Sequence, residues 1–438
     1  MIIEKNTAPF VILSSNSIAT ALKKISGNLI HFVFCISEHG ILEGILTNGD
    51  FLRWVVTQQD VDLGQAVSSI CNRNVKSLPA DTPASEIAAK ISDHIRVVPL
   101  VDERGHLVAV ARPGSPEIRI GDFEIAADKP VFVIAEIGIN HNGSLELAKQ
   151  MVDEAVATGA DSAKFQMRHM EALYRNAGNP DDVVEDLGSQ YALDILSRSL
   201  LSDDEMFQVF DYCREKGIMP LCTPWDHESI EALESYGMEA YKVASADLTN
   251  HDLLLKLAET RKPILSSTGM SIESEIKEVA DLLRREGAPF VLLHCNSTYP
   301  APFKDINLNY LDRLREIGQC QVGYSGHERG FAVPLAAVAR GAKVIEKHFT
   351  LDRNMEGNDH KVSLLPCEFK AMLEGIRNIE EAMSGGDTRQ ITQGERMNRE
   401  TLSKSLITTQ TIEQGTVISN EMIAVMSPGK GLQPNMRN

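Results

Sequence analysis

The runs FVIAEIG (132–138) and KVIEKHFT (343–350) are the first and last of eight apolar stretches that recur in order along the chain. Between them come SAKFQ (162–166), MPLCTP (219–224), AYKVAS (240–245), KPILSSTG (262–269), FVLLHC (290–295) and QVGYSGH (321–327). Each reads as a strand. The segments that separate them, such as SLELAKQMVDEAVATG, DEMFQVFDYCREKG, ESEIKEVADLLRREG and FAVPLAAVARG, carry helical periodicity and end in glycine, a common helix stop. Eight strands, each followed by a helix-sized segment, over about 250 residues predict an α/β protein whose main body is a (β/α)8 barrel. A doubly wound open sheet is the alternative, but its Gly-rich turn after strand one is not clearly present in EIGINHNGS.

Residues 1–115 hold two related halves. A helix candidate (Ser17–Ser26) precedes HFVFCISEHGILEGILTNGDFLRWVV, and a second (Pro83–Ser92) precedes IRVVPLVDERGHLVAVARPG. Each half reads helix, strand, glycine turn, strand. The pair resembles two cystathionine-β-synthase (CBS) modules, which often bind adenine nucleotides. Thr47 and Asp50 in the first copy match that family's Thr-x-x-Asp, while AVARPG in the second copy lacks the pair. A dimerising or structural domain is the other reading. RPGSPEIRIGDF (112–123) and SGGDTRQITQGERMN (384–398) read as linkers, and the tail from 396 to 438 as short strands around an EQG turn.

The whole chain has 438 residues, 43% hydrophobic and 24% charged, with a net charge of −18. That balance argues against nucleic acid or an anionic membrane as partner, since both select positive surfaces. A small anion needs only a local group of cations. The seven cysteines are scattered, without a CxxC pair, which fits a reducing compartment. No run suits a signal peptide or a spanning helix, so a cytoplasmic location is expected.

Barrel enzymes build their sites at the C-terminal ends of the strands. Polar residues gather there: Glu136, Lys164, Gln166, Thr223, Lys242, Ser245, Asp247, Ser267, Ser297, Ser325, His327, Glu346 and His348. Lys164 and Lys242 lie inside apolar strands, where an ammonium without an anion is heavily penalised. With Thr223, Ser245, Ser267 and Ser325 they can hold a phosphate and a carboxylate. A Schiff base or a structural ion pair is the rival use. His327 and His348, on neighbouring strand ends, can share a metal. Two imidazoles with oxygen donors suit an octahedral ion such as manganese better than tetrahedral zinc.

The motifs AEIGINHNGS, AKFQ, CTPWD, YKVASAD, LSSTGM, LLHCNSTYPAP, GYSGHE and EKHFT, in that order, resemble the sialic acid synthase family. The resemblance spans 122–438. It places the barrel at 122–384 and, at 396–438, the start of an antifreeze-like (SAF) domain that stops short. It implies condensation of phosphoenolpyruvate with an N-acetylated hexosamine (N-acetylmannosamine or a diacetamido-trideoxy hexose), releasing phosphate by C–O cleavage. It also implies a divalent metal (Mn2+, with Mg2+ or Co2+ as substitutes) and a domain-swapped homodimer.

Carried over by motif, His327 and His348 become metal ligands. Lys164, Thr223, Lys242, Ser245, Ser267, Ser297 and Ser325 cradle phosphoenolpyruvate. Glu136, Asp247 and Asp359 become catalytic acids, with Asp247 standing where glutamate is frequent. Gln166, Asn179, Tyr191 and Tyr299 face the sugar. The family's SAF domain lends a basic contact to the partner's sugar, and the matching stretch would lie beyond Asn438, which predicts weak turnover. Two other functions remain open: a Schiff-base aldolase using Lys164 or Lys242, and a CBS-regulated binding protein with an inactive barrel.

Overall fold

The computed structural model describes residues 2–28, 32–58, 60–91, 95, 97–112, 117–174, 187–385 and 389–437. They form two compact units, Met1–Glu380 and Glu381–Asn438.

In the first unit, eight parallel strands close into a barrel in sequence order: Phe132–Gly138, Ser162–Met167, Met219–Pro224, Tyr241–Val243, Ile264–Ser267, Phe290–Cys295, Val322–Gly326 and Val344–His348. Every run read as a strand is one. Pairing of the first strand with the last, with Glu136 opposite His348, excludes the open sheet. The crossover helices start and stop where local chemistry directs. Helix Leu145–Thr158 begins on the Ser144 hydroxyl, which accepts the Leu147 N–H, and ends at Gly159 with φ +86°. Helix Asp203–Glu215 opens with a Ser202/Glu205 capping box.

Alternation along the strands sorts the barrel into two cores. Val133, Ala135 and Ile137 face outward and pack with Met151, Val152 and the other helix residues. Phe132, Ile134, Leu221, Leu265, Val291, Leu293 and Val344 face inward, joined by Ile118, Ile120 and Ile125. The last three come from a hairpin, Ile118–Ile120 with Phe123–Ile125, in a stretch that the Pro/Gly content marks as linker. The correction has a clear cause. Ile118, Ile120 and Ile125 alternate, and burying them closes the N-terminal end of the barrel. Gly121 turns the hairpin at φ +54°.

The N-terminal repeat forms two sheets, with strands Val11–Leu13, Phe32–Ile36 and Leu42–Thr47 in one. The other holds Ile2–Glu4, Leu107–Arg112, Val98–Val101 and Leu78–Pro79. Thus the first strand of the chain joins the second copy's sheet, Ile3 opposite Ala111.

In the second unit, strands Ser405–Thr408 and Ile423–Met426 pair antiparallel around the EQG stretch. The linker expected at 384–398 already contains the start of helix Gln393–Leu402. A Thr392/Glu395 capping box nucleates that helix in an otherwise polar sequence. No helix among the described residues is long and apolar enough to cross a membrane.

Candidate active site at the barrel mouth

Two residues above the apolar inner layer, the same alternation presents ionisable and hydroxyl groups. Glu136, Lys164, Thr223, Lys242, Ser267, Ser325, Glu346 and His348 line a cavity of about 170 Å³, together with Gln166, Trp225, Ser245, Met270, Ser297, Tyr299 and His327. Every residue expected to cradle phosphoenolpyruvate is therefore in one wall. So are Glu136, both histidines, Gln166 and Tyr299.

The lysines are not unpartnered cations. The Lys164 ammonium lies 2.6 Å from the Glu136 carboxylate and donates to Thr223 Oγ1 at 2.9 Å. Lys242 lies 3.8 Å from Glu346 and donates to the Val243 carbonyl at 3.0 Å. Burial pushes the Glu136 carboxyl above the usual range, against the pull of Lys164. Burial would also raise Glu346, but Lys242 and Lys164 outweigh it and hold it well below the usual range. Lys164 is held above the ordinary lysine value because Glu136 and Glu346 overcome its burial. Lys242, with weaker compensation, is depressed by burial.

Hydroxyls complete the wall. Ser325 Oγ donates to Glu346 at 3.1 Å. Gly269 N–H donates to Ser245 Oγ at 3.1 Å, and the buried Ser267 Oγ has no partner among the described residues. Gln166 Nε2 donates to Glu136 at 2.9 Å, which ties the amide expected at the sugar to the central carboxylate.

His327 and His348 meet with ring centroids 5.4 Å apart. The His327 Nδ1–H donates to the Asn296 carbonyl at 2.8 Å, leaving the Nε2 lone pair toward the Tyr299 hydroxyl at 2.9 Å. Burial pushes His348 down to about 4, so the imidazole is neutral. Its Nδ1 is buried without a hydrogen bond and stands 3.8 Å from Asp359. The neutral His348 ring, the His327 Nε2 facing a hydroxyl and a nearby carboxylate together offer donors that fit a divalent ion.

Several expected residues are placed elsewhere. Asp247 is buried in a short 3-10 turn, Ser245–Asp247, where it accepts from Asn250 Nδ2 at 3.1 Å. It does not line the cavity, because the turn directs its side chain back to its own loop. Asp359 lines a neighbouring cavity with Asn140 and Asn142. Asn179 lies outside the described residues, and Tyr191 is in helix Leu187–Arg198 with its side chain outside the description. Thr47 and Asp50 engage each other: Thr47 Oγ1 donates to Asp50 at 2.6 Å, and Asp50 N–H donates back at 3.1 Å. Together they cap helix Asn48–Val55. Among the described residues, a triplet of ligand-type side chains converges at His169, Asp226 and Glu228. There Asp226 is already committed to capping helix His227–Tyr236.

Sequence reasoning assigned no role to Glu346 or Trp225, although both line the cavity. Glu346 carries a legible signal: a carboxylate two residues past Val344 on the inner face of the last strand, where it meets Lys242 at 3.8 Å.

The NeuB family model matches residues 151–388 and the CBS domain model residues 67–111. The chain belongs to the NeuB family. It is 37% identical over 309 residues to the N,N'-diacetyllegionaminic acid synthase of Campylobacter jejuni, covering 69% of this chain and 92% of that protein. It is 34% identical over 315 residues to the N-acetylneuraminate-9-phosphate synthase of Homo sapiens, covering 71% and 87%. Among solved structures, the N-acetylneuraminic acid synthetase of Leptospira borgpetersenii superposes with a TM-score of 0.59 at 31% identity, over 65% of this chain and 95% of that one.

Proposed function

We propose that the chain is a metal-dependent nonulosonate synthase, condensing phosphoenolpyruvate with an N-acetylated hexosamine and releasing phosphate. The observation that carries this reading is the single cavity wall shared by Lys164, Lys242, the Ser245/Ser267/Ser297/Ser325 hydroxyls and the His327/His348 pair. The relatives named as synthases of nonulosonic acids support it.

Lys164, Thr223 and the serines hold the phosphoenolpyruvate anion by charge-assisted hydrogen bonds. Fixing it beside the aldehyde converts a two-body encounter into a positioned one. A divalent ion, Mn2+ by preference, would be held by His327 and His348 with Asp359 nearby, and supplies Lewis-acid polarisation of the aldehyde oxygen. C3 of phosphoenolpyruvate forms the new bond to the aldehyde carbon, whose C=O π pair moves to oxygen and takes up a proton to give a hydroxyl, leaving C2 cationic. Glu136, raised by burial and paired with Lys164, accepts a proton from the water that adds to C2. The resulting tetrahedral carbon then breaks its C–O bond to the phosphate. With 18O in the bridging position of phosphoenolpyruvate, the label is expected in released phosphate. Retention of the label in the sugar acid would refute C–O cleavage.

A second reading is favoured by one observation: burial depresses Lys242, as a Schiff-base lysine requires. Borohydride trapping with a keto acid, and turnover in the presence of a chelator, would select it. For the N-terminal pair we propose a structural role, supported by the closed Thr47–Asp50 cap. A thermal shift with an adenine nucleotide would instead make it a sensor. The homodimer and the cytoplasmic location implied by the family resemblance are part of this proposal, and sedimentation checks the first.

A further inference from the structure

Lys164, Gln166 and Arg168 follow one another at two-residue spacing along and just past the second barrel strand, so they climb one face toward the mouth. Four residues of extended chain separate Lys164 from Arg168, roughly 13 Å, comparable to the span of an open-chain hexose with a terminal substituent.

The Arg168 guanidinium is buried, its residue 7% exposed. It stacks 4.5 Å over the Trp225 ring. It donates through Nη2 to Gln166 Oε1, with the Tyr174 phenol close by. The Trp225 indole N–H donates to the same Gln166 oxygen at 3.3 Å. Gln166 and Trp225 both line the cavity, so Arg168 is held against its wall.

The other buried cations of the barrel each face a carboxylate: Lys164 on Glu136, Lys242 on Glu346, and Lys347 on Glu328. Among the described residues Arg168 forms no such pair; Asp359, Asp226 and Asp247 act on it only at longer range. Its Nε has no hydrogen-bond partner. A buried charge is retained where something pairs with it. A planar guanidinium fixed on an indole is preorganised for two-point binding of phosphate or carboxylate.

We propose that Arg168 determines acceptor specificity by recognising an anionic substituent, a phosphate ester or a carboxylate, at the end of the sugar remote from its aldehyde. This rests on the synthase reading. Three acceptors separate the two anion sources from a neutral control: N-acetylmannosamine, its 6-phosphate and its uronic acid. Each is compared by kcat/KM with phosphoenolpyruvate, using the full chain and its Arg168→Gln, Arg168→Lys and Trp225→Phe variants. Calorimetric binding of the same three sugars runs alongside.

The wild type should favour one anionic acceptor over the neutral one at least tenfold. Arg168→Gln should bring that ratio close to one, mostly through KM. Arg168→Lys should keep part of it, and Trp225→Phe should fall between. A wild type without anionic preference overturns the proposal, as does a ratio that Arg168→Gln leaves intact. If Arg168→Gln fails to fold, the Trp225→Phe ratio decides in the same way. Absence of turnover with all three sugars and with a diacetamido-trideoxy hexose overturns the synthase reading, and the binding ratios then decide the role of Arg168 on their own.

Discussion

The Lys164 ammonium and the Glu136 carboxylate form a buried ion pair at 2.6 Å, with side chains 3% and 2% exposed. Neighbouring strands place them at the same level, since Glu136 and Lys164 are register partners. Removing one member leaves the other charged and uncompensated. We expect Lys164→Met to destabilise the barrel by about 3–5 kcal/mol. Glu136→Gln combined with Lys164→Met should recover much of that loss, while turnover is lost in both. Urea unfolding of the four-member cycle reads the coupling. Strictly additive losses would show that the pair contributes no interaction.

Gly269 matters because it has no side chain. A Cβ at that position would lie 2.2 Å from Ser297 Oγ and 2.8 Å from Ser245 Oγ. Gly269→Ala must therefore displace two hydroxyls of the cavity wall. We expect phosphoenolpyruvate affinity, measured by calorimetry, to fall at least tenfold. An unchanged Kd would mean that the cradle does not depend on these two serines.

The proposed metal dependence rests on the two histidines. Chelation should abolish turnover and Mn2+ should restore it, whereas His348→Ala should not respond to added Mn2+. Because the Tyr299 hydroxyl contacts the His327 nitrogen that would serve as ligand, Tyr299→Phe should bind Mn2+ at least as tightly as the wild type. Calorimetric titration with Mn2+ checks both. Weaker binding by Tyr299→Phe would place the ion away from His327 Nε2.

Stability should fall on mild acidification, partly through His141. Burial lowers this imidazole from 6.5 to about 4. The unfolded chain thus takes up a proton near pH 6.5 that the folded chain refuses until near pH 4. The stabilisation is complete above pH 6.5 and is lost as pH falls toward 4, by about 3 kcal/mol in all. Denaturation midpoints of His141→Gln should show a shallower slope across that window. An unchanged slope would assign the acid sensitivity to other groups.

The eight strands were legible because each is an apolar run closed off by polar residues and a glycine-ended helix. The wall of lysines and hydroxyls was legible because lysines inside apolar strands demand an explanation. Glu346 was named at a strand end but given no role, since EKH (346–348) offers three ionisable residues in a row. Only barrel closure shows that Glu346 and His348 face inward while Lys347 faces out, pairing with Glu328 at 2.8 Å. The linker readings failed at 118–123 and 393–398. Glycine and polar content hide short elements whose order comes from packing on the barrel in one case and from a capping box in the other.

The sequence alone determined the barrel, the face that carries chemistry and the identity of most groups on it. Those features follow from period and residue type, which are local properties. Only the tertiary structure decided which charges neutralise which: Lys164 with Glu136, Lys242 with Glu346, and Arg168 with no paired carboxylate among the described residues. Charge pairing depends on distances across the barrel between strands far apart in the chain. Closure of the first strand on the last sets those distances.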